Sequence, residues 1–280
     1  MIPGTLGSVL QRRSTILGLA ALLVLGVAAT GLLTYLVPVA RDHDVATLNG
    51  FLGLNQPSLE PLLWDVAHLA DPAPYALLGI AMAVVALARG RTRVAIAVPL
   101  VLVAAGATTE ALKHVTASPR FDEWLGDAQI ADASWPSGHA TASMALALCA
   151  VMAAPPRWRA GAAAVGAAFA IAVSFSILAL GWHFPSDVLG GYMVAGFWAL
   201  VAVAALGGLE WRPVDVRPAL AVVAVAVAAG VLVASAYPAR LADYASAHTT
   251  FVAGAALIAT VAAALAALLA AGARPRSAGA

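Results

Sequence analysis

Three short clusters in this 280-residue chain hold side chains capable of chemistry. The sharpest is His183-Phe184-Pro185-Ser186-Asp187. Pro185 suits the first turn of a helix, and His183 and Asp187, four apart, share one face near such a start. A carboxylate that accepts the Nδ1 proton fixes the imidazole tautomer and leaves Nε2 free to attack. Imidazole is a competent nucleophile toward phosphorus and can form a covalent intermediate. The same pair also reads as a structural hydrogen bond at a membrane interface. The second cluster is Pro136-Ser137-Gly138-His139. Ser137 is a helix N-cap, Gly138 admits close approach to the backbone, and helix N-terminal N–H groups face an anion. His139 in the first turn is placed to protonate a leaving oxygen; ordinary turn and cap chemistry is the competing reading.

The third cluster, Lys113-His114-Val115-Thr116-Ala117-Ser118-Pro119-Arg120, supplies cations. Arginine binds phosphate through two parallel hydrogen bonds and lysine as a point charge. Lys113 can also snorkel to a membrane interface. However, it is the single lysine among fifteen basic residues, fourteen being arginine, which favours a chemical requirement. Together the clusters offer two histidines, an orienting carboxylate and two cations, a set suited to phosphoryl transfer through a phosphohistidine. No Cys/His set has zinc-ligand spacing and no acidic pair suits magnesium, so the expected chemistry uses no metal and no cofactor.

The elements that position these clusters are membrane spans. The chain is 62% hydrophobic and 10% charged, with mean hydropathy +0.91. A soluble domain carries about 45–50% apolar and about 25% charged residues. Apolar runs long enough to cross a bilayer recur near 16–37, 73–88, 94–113, 137–154, 160–181, 186–208, 218–236 and 250–272. The reading is an all-α membrane protein of about eight transmembrane helices. The first run is longer than a signal-peptide core and is read as a retained span. Residues 41–71, with Pro57, Pro61 and Trp64, read as a loop with short interfacial helices. The single Cys149 excludes an intrachain disulfide, and a net charge of +1 gives no field for nucleic acid.

Orientation follows from the positive-inside rule. With both termini cytoplasmic, eleven of the fifteen basic residues lie inside, and Arg41, Lys113, Arg120 and Arg240 lie outside. All six histidines then fall outside, and of the acidic residues only Glu210 and Asp215 fall inside. The eleven inner arginines read as topology anchors. The chain reads as one membrane domain over 1–280, with a disordered tail at 273–280.

The three clusters resemble the type 2 phosphatidic acid phosphatase family, whose pattern is Lys, six residues, Arg-Pro; then Pro-Ser-Gly-His; then Ser-Arg, five residues, His, three residues, Asp. The resemblance runs from Lys113 to Asp187 and implies a six-helix catalytic core within 73–208. A C-terminal transmembrane hairpin at 209–272 is then an addition. It implies His183 as nucleophile, Asp187 as its orienting partner and His139 as general acid. Lys113, Arg120, Ser137 and Gly138 would hold the phosphate. The implied activity is hydrolysis of a lipid phosphate or diphosphate at the outer face of the plasma or inner membrane. Candidate substrates are phosphatidic acid, phosphatidylglycerol phosphate and polyprenyl phosphates. Phe121 replaces the family proline, and Ile177 replaces a phosphate-binding arginine. Loss of one charge-assisted contact costs roughly 2–4 kcal/mol of transition-state stabilisation. His114, Arg41 and Arg240 are the candidate substitutes. A phosphotransferase on the same site, or a silent lipid-binding member, are the alternative readings. Glu110, about one turn before the end of its span, reads as a partner of Lys113 or His114.

Overall fold

The structure is a computed structural model that describes residues 4–117, 130–206 and 238–272. Those residues form α1 (Gly4–Leu36), α2 (Pro38–Leu52), α3 (Glu60–His68), α4 (Pro72–Ala88), α5 (Thr92–Thr116), α6 (Gly138–Ala153), α7 (Arg159–Ala179), α8 (Pro185–Ala205), α9 (Pro238–Ala247) and α10 (Thr249–Gly272). There is no strand among them. Seven of the eight expected spans fall on described helices; residues 218–236 lie outside the described residues. Among the described residues, five helices are long and apolar enough to cross a membrane, or six if α3 and α4, bent by 50° at their junction, form one span. The expected interfacial segment is α2 and α3. All-helical spans fit lipid because each backbone group is bonded within its own segment.

α6 is the hub. It is only 16 residues long, and most of its residues, from Ala140 to Ala153, are buried. α7, α8, α5, α4 and α10 all pack on it, while α1 lies along α8 and α10 reaches α7 and α2. Ile258, Ala262 and Leu269 of α10 join the same core as Met144, Leu148 and Tyr192. Small residues permit these approaches, as is usual between membrane helices. A Cβ on Gly191 of α8 would lie 2.7 Å from the carbonyl oxygen of Ser137 and 2.8 Å from Thr141 Oγ1. Interhelical hydrogen bonds add specificity: Thr109 Oγ1 to Thr141 Oγ1 at 3.0 Å, Tyr192 OH to Ala170 O at 2.8 Å and Trp198 Nε1 to Thr108 Oγ1 at 2.9 Å.

The outside of the bundle is apolar. Leu22, Leu25, Leu77, Ile80, Leu100, Val103 and Val165 are all more than half exposed. An apolar surface this extensive marks contact with lipid, and the chain is a multi-pass membrane protein. Two arginines do more than anchor topology. Arg91, in the turn between α4 and α5, donates to Ala153 O at 2.8 Å and Ala154 O at 3.3 Å. It thereby caps the carbonyl end of α6. Arg159 is 8% exposed and belongs to the helix packing.

Candidate active site

The third cluster is built by two adjacent helix ends. α7 stops in a Schellman turn: Gly181 at φ +72° donates to Leu178 O, and Trp182 N donates to Ile177 O at 2.9 Å. A left-handed residue there is what glycine allows. The chain leaves this turn as Trp182-His183 and re-enters a helix at Pro185, as the sequence predicts. Asp187, the third residue of α8, is fully buried. Its Oδ2 accepts the backbone N–H of Phe184 at 3.0 Å and lies 3.3 Å from His183 Nδ1. One carboxylate oxygen therefore starts the helix and orients the imidazole. Because a carboxylate only accepts, Nδ1 is the donor and Nε2 is the free nitrogen.

α8 is also held from outside. Ser186 N donates to Asp44 Oδ1 of α2 at 2.9 Å, and Ser186 Oγ donates to Asp44 Oδ2. Ser137 N donates to the Asp187 carbonyl at 2.9 Å, fixing the start of α6 against the start of α8. Ser137 is the N-cap the sequence predicts, with Oγ accepting from Ala140 N at 3.2 Å. This junction sets the ring centroids of His139 and His183 6.4 Å apart.

Lys113, in the last turn of α5, reaches the same place. Its Nζ lies 3.3 Å from where a Cβ on Gly138 would sit and donates to Glu110 Oε1 at 2.9 Å. A cavity of about 310 Å³ opens here, lined by Lys113, Glu110, Gly138, His139, Asp71 and Tyr75 among others. His183 is not among its lining residues, but its ring contacts that of His139, which is. Arg120, Phe121 and Ser118 fall outside the described residues. Ile177 is fully buried in the core and presents only its carbonyl to the Schellman turn. Of its candidate substitutes, His114 is exposed and Arg41 half-buried, and the side chain of Arg240 lies outside the described residues.

Two residues outside the motifs enter the site. Asp71, the N-cap of α4, places Oδ1 3.1 Å from His139 Nε2. Its other oxygen lies 3.8 Å from His68 Nε2. His68 Nδ1 in turn donates to Trp64 O at 2.7 Å. The Trp182 ring ties these together, with centroids 4.9 Å from Trp64, 5.9 Å from His68 and 5.5 Å from His139. The one sequence signal for Asp71 is its position at the head of an apolar span, before Pro72 and Pro74.

Fold and site together define a multi-pass helical membrane protein with two carboxylate-supported imidazoles and a lysine at one end of its bundle. Residues 94–211 match the model of the PAP2 superfamily. That stretch runs from α5 through α8 and contains Lys113, His139, His183 and Asp187, so the resemblance read from the motifs is confirmed over it, and the match supports a phosphatase. The chain is also similar in structure to the first transmembrane PAP2-type phosphatidylglycerolphosphate phosphatase from Bacillus subtilis, at 19% identity and a TM-score of 0.48, covering 68% of this chain and 94% of that one. No curated protein matches the chain.

Proposed function

We propose that the chain is a lipid-phosphate phosphatase working through a phosphohistidine. The observation that carries this reading is the pairing of His139 and His183, 6.4 Å between centroids, each with its own carboxylate and with the Lys113 ammonium beside Gly138. One phosphoryl group can use both rings only if its phosphorus and its leaving oxygen each come within about 3 Å of a ring nitrogen, which neighbouring imidazoles allow. His183 Nε2 attacks phosphorus while the leaving alcohol oxygen takes a proton from His139. Water then attacks the phosphohistidine, losing its proton to His139, and phosphate departs. Lys113, the backbone at Ser137 and Gly138, and Arg120 neutralise the equatorial oxygens. Residues 73–208 hold the catalytic core, with the site on the outer face; of the hairpin expected at 209–272, residues 209–237 lie outside the described residues. The lipid tail stays in the bilayer and the phosphate, as monoester or diphosphate, binds between the two imidazoles.

The experiment is phosphate release by purified protein from phosphatidic acid, phosphatidylglycerol phosphate and polyprenyl diphosphate, with and without EDTA. Activity resistant to EDTA and abolished by His183→Ala is expected; a His183→Ala variant as active as wild type overturns the assigned nucleophile. One observation favours a second reading. With Ile177 buried where the family places arginine, a weakly active or lipid-binding member predicts no release from any of the three lipids. A phosphotransferase instead predicts a phosphorylated acceptor in place of free phosphate.

A further inference from the structure

Asp71 has no reason to point at His139 from its own helix. It holds the N-cap position of α4 with extended backbone, φ −63° and ψ 160°. An aspartate there ordinarily accepts the N–H of the second or third helical residue. Here the third is Pro74, which has no N–H; the second, Ala73, keeps one, yet the Asp71 side chain makes no cap hydrogen bond. The carboxylate is not bonded to its own helix. It turns instead to an imidazole 68 positions away in sequence, 3.1 Å from Oδ1. Its second oxygen faces His68, which hangs on the Trp64 carbonyl. The clamp thus bridges the α3–α4 bend to the first turn of α6.

The two imidazoles are supported in different ways. His183 leans on Asp187, which is wholly buried and belongs to the same helix start. His139 leans on Asp71, whose side chain is 36% exposed and comes from another helix. A sealed carboxylate suits a nucleophile that must keep one tautomer. A carboxylate open to water suits a group that must take up and release a proton in each turnover. The other titratable groups facing His139 are His183 across the ring contact and Lys113 and Glu110 on the cavity wall. Lys113 is the fixed cation among them, and Asp71 is the anion within hydrogen-bond reach of the His139 ring.

We propose that Asp71 is a positioning residue for His139: it accepts the Nε2 proton and so holds the ring with Nδ1 as the nitrogen whose proton goes to the leaving oxygen, with His68 steadying the carboxylate from its other side. This deepens the phosphatase reading and rests on it. No new covalent step is involved: the proton moves from His139 to the departing alkoxide, and Asp71 stays a carboxylate.

The test uses leaving groups that differ in their need for a proton. The alcohol of phosphatidic acid must be protonated as it leaves, whereas 4-nitrophenolate leaves without one. Full-length wild type, Asp71→Asn and Asp71→Glu are compared in detergent by leaving-group release in the first turnover. Asp71→Asn is expected to slow phosphatidic acid at least tenfold with KM changed less than twofold. It is expected to slow 4-nitrophenyl phosphate less than threefold, and Asp71→Glu to recover part of the loss. Equal slowing of both substrates, or no slowing of either, overturns the assignment. His68→Gln, should Asp71→Asn not fold, must show the same substrate-selective loss in smaller measure, and a uniform effect there also overturns it. A wild type inactive on both substrates fails the phosphatase reading itself, and this inference falls with it.

Discussion

At the residue scale the question is what Lys113 is worth. Its ion pair with Glu110 spans 2.9 Å, but the Glu110 side chain is 61% exposed. Exposed pairs of this kind contribute about 0.2–1 kcal/mol. Removal of a charge that stabilises a transferring phosphoryl group costs about 2.7–4 kcal/mol. The two values separate structure from chemistry. Lys113→Ala is expected to lower kcat/KM for a lipid phosphate by roughly 10²–10³-fold, while Glu110→Gln changes it less than about fivefold. Steady-state kinetics on both variants check this, and a Glu110→Gln loss as large as that of Lys113→Ala contradicts it. Ile177 yields the opposite expectation from the one its motif position suggests. Since its side chain is fully buried in the helix core, Ile177→Arg forces a charge into packed apolar surroundings at several kcal/mol. A lower unfolding temperature in detergent and no gain in phosphate release are expected. A variant more active than wild type would mean that the arginine finds the phosphate after all. His183 and Asp187 were legible as a pair because one turn of helix suffices to join them. Asp71 was not, because nothing local announces a partner 68 residues further along the chain.

At the element scale the active site depends on the starts of α6 and α8 meeting. Local signals for both starts stood in the sequence. Pro185 opens α8 and Ser137 caps α6. What holds the two starts together is tertiary and was not legible: the Ser137 N–H on the Asp187 carbonyl, and Asp44 of α2 on Ser186. Residues 41–71 read as a loop with short interfacial helices, yet the buried Asp44 among them anchors the catalytic helix. Gly191→Ala would push a Cβ to 2.7 Å from the Ser137 carbonyl oxygen, a backbone atom that cannot swing aside. Overpacking of this sort costs about 1–3 kcal/mol. It would also shift His139 from His183, where a displacement of about 1 Å is worth about 10² in rate. The expected result is a fall in activity larger than the fall in thermal stability explains. Asp44→Ala is expected to lower stability by about 1–2 kcal/mol, the value of a lost helix cap, measured by thermal unfolding in detergent. An unchanged melting point would show that Asp44 is not what fixes α8.

At the scale of the whole molecule, composition made the membrane legible before any motif did, because lipid tolerates an exterior of Leu22, Ile80 and Val103 that water does not. The side on which the site opens rests on the arginine count alone, and α5 offers a direct check. Val115, near its site end, is 84% exposed, and Thr92, its first residue, is exposed beside Arg89, Arg91 and Arg93. The 23 positions between them correspond to about 35 Å of helix at about 1.5 Å per residue, more than the roughly 30 Å of a hydrocarbon core. A thiol at each position must therefore lie on opposite faces. The native Cys149 is wholly buried and gives a silent background. In intact cells a membrane-impermeant maleimide is expected to label Val115→Cys at once and Thr92→Cys only after lysis. That pattern follows if Arg89, Arg91 and Arg93 hold their end of α5 in the cytoplasm. The reverse pattern would place the histidines inside, so that the substrate would have to come from the cytoplasmic leaflet.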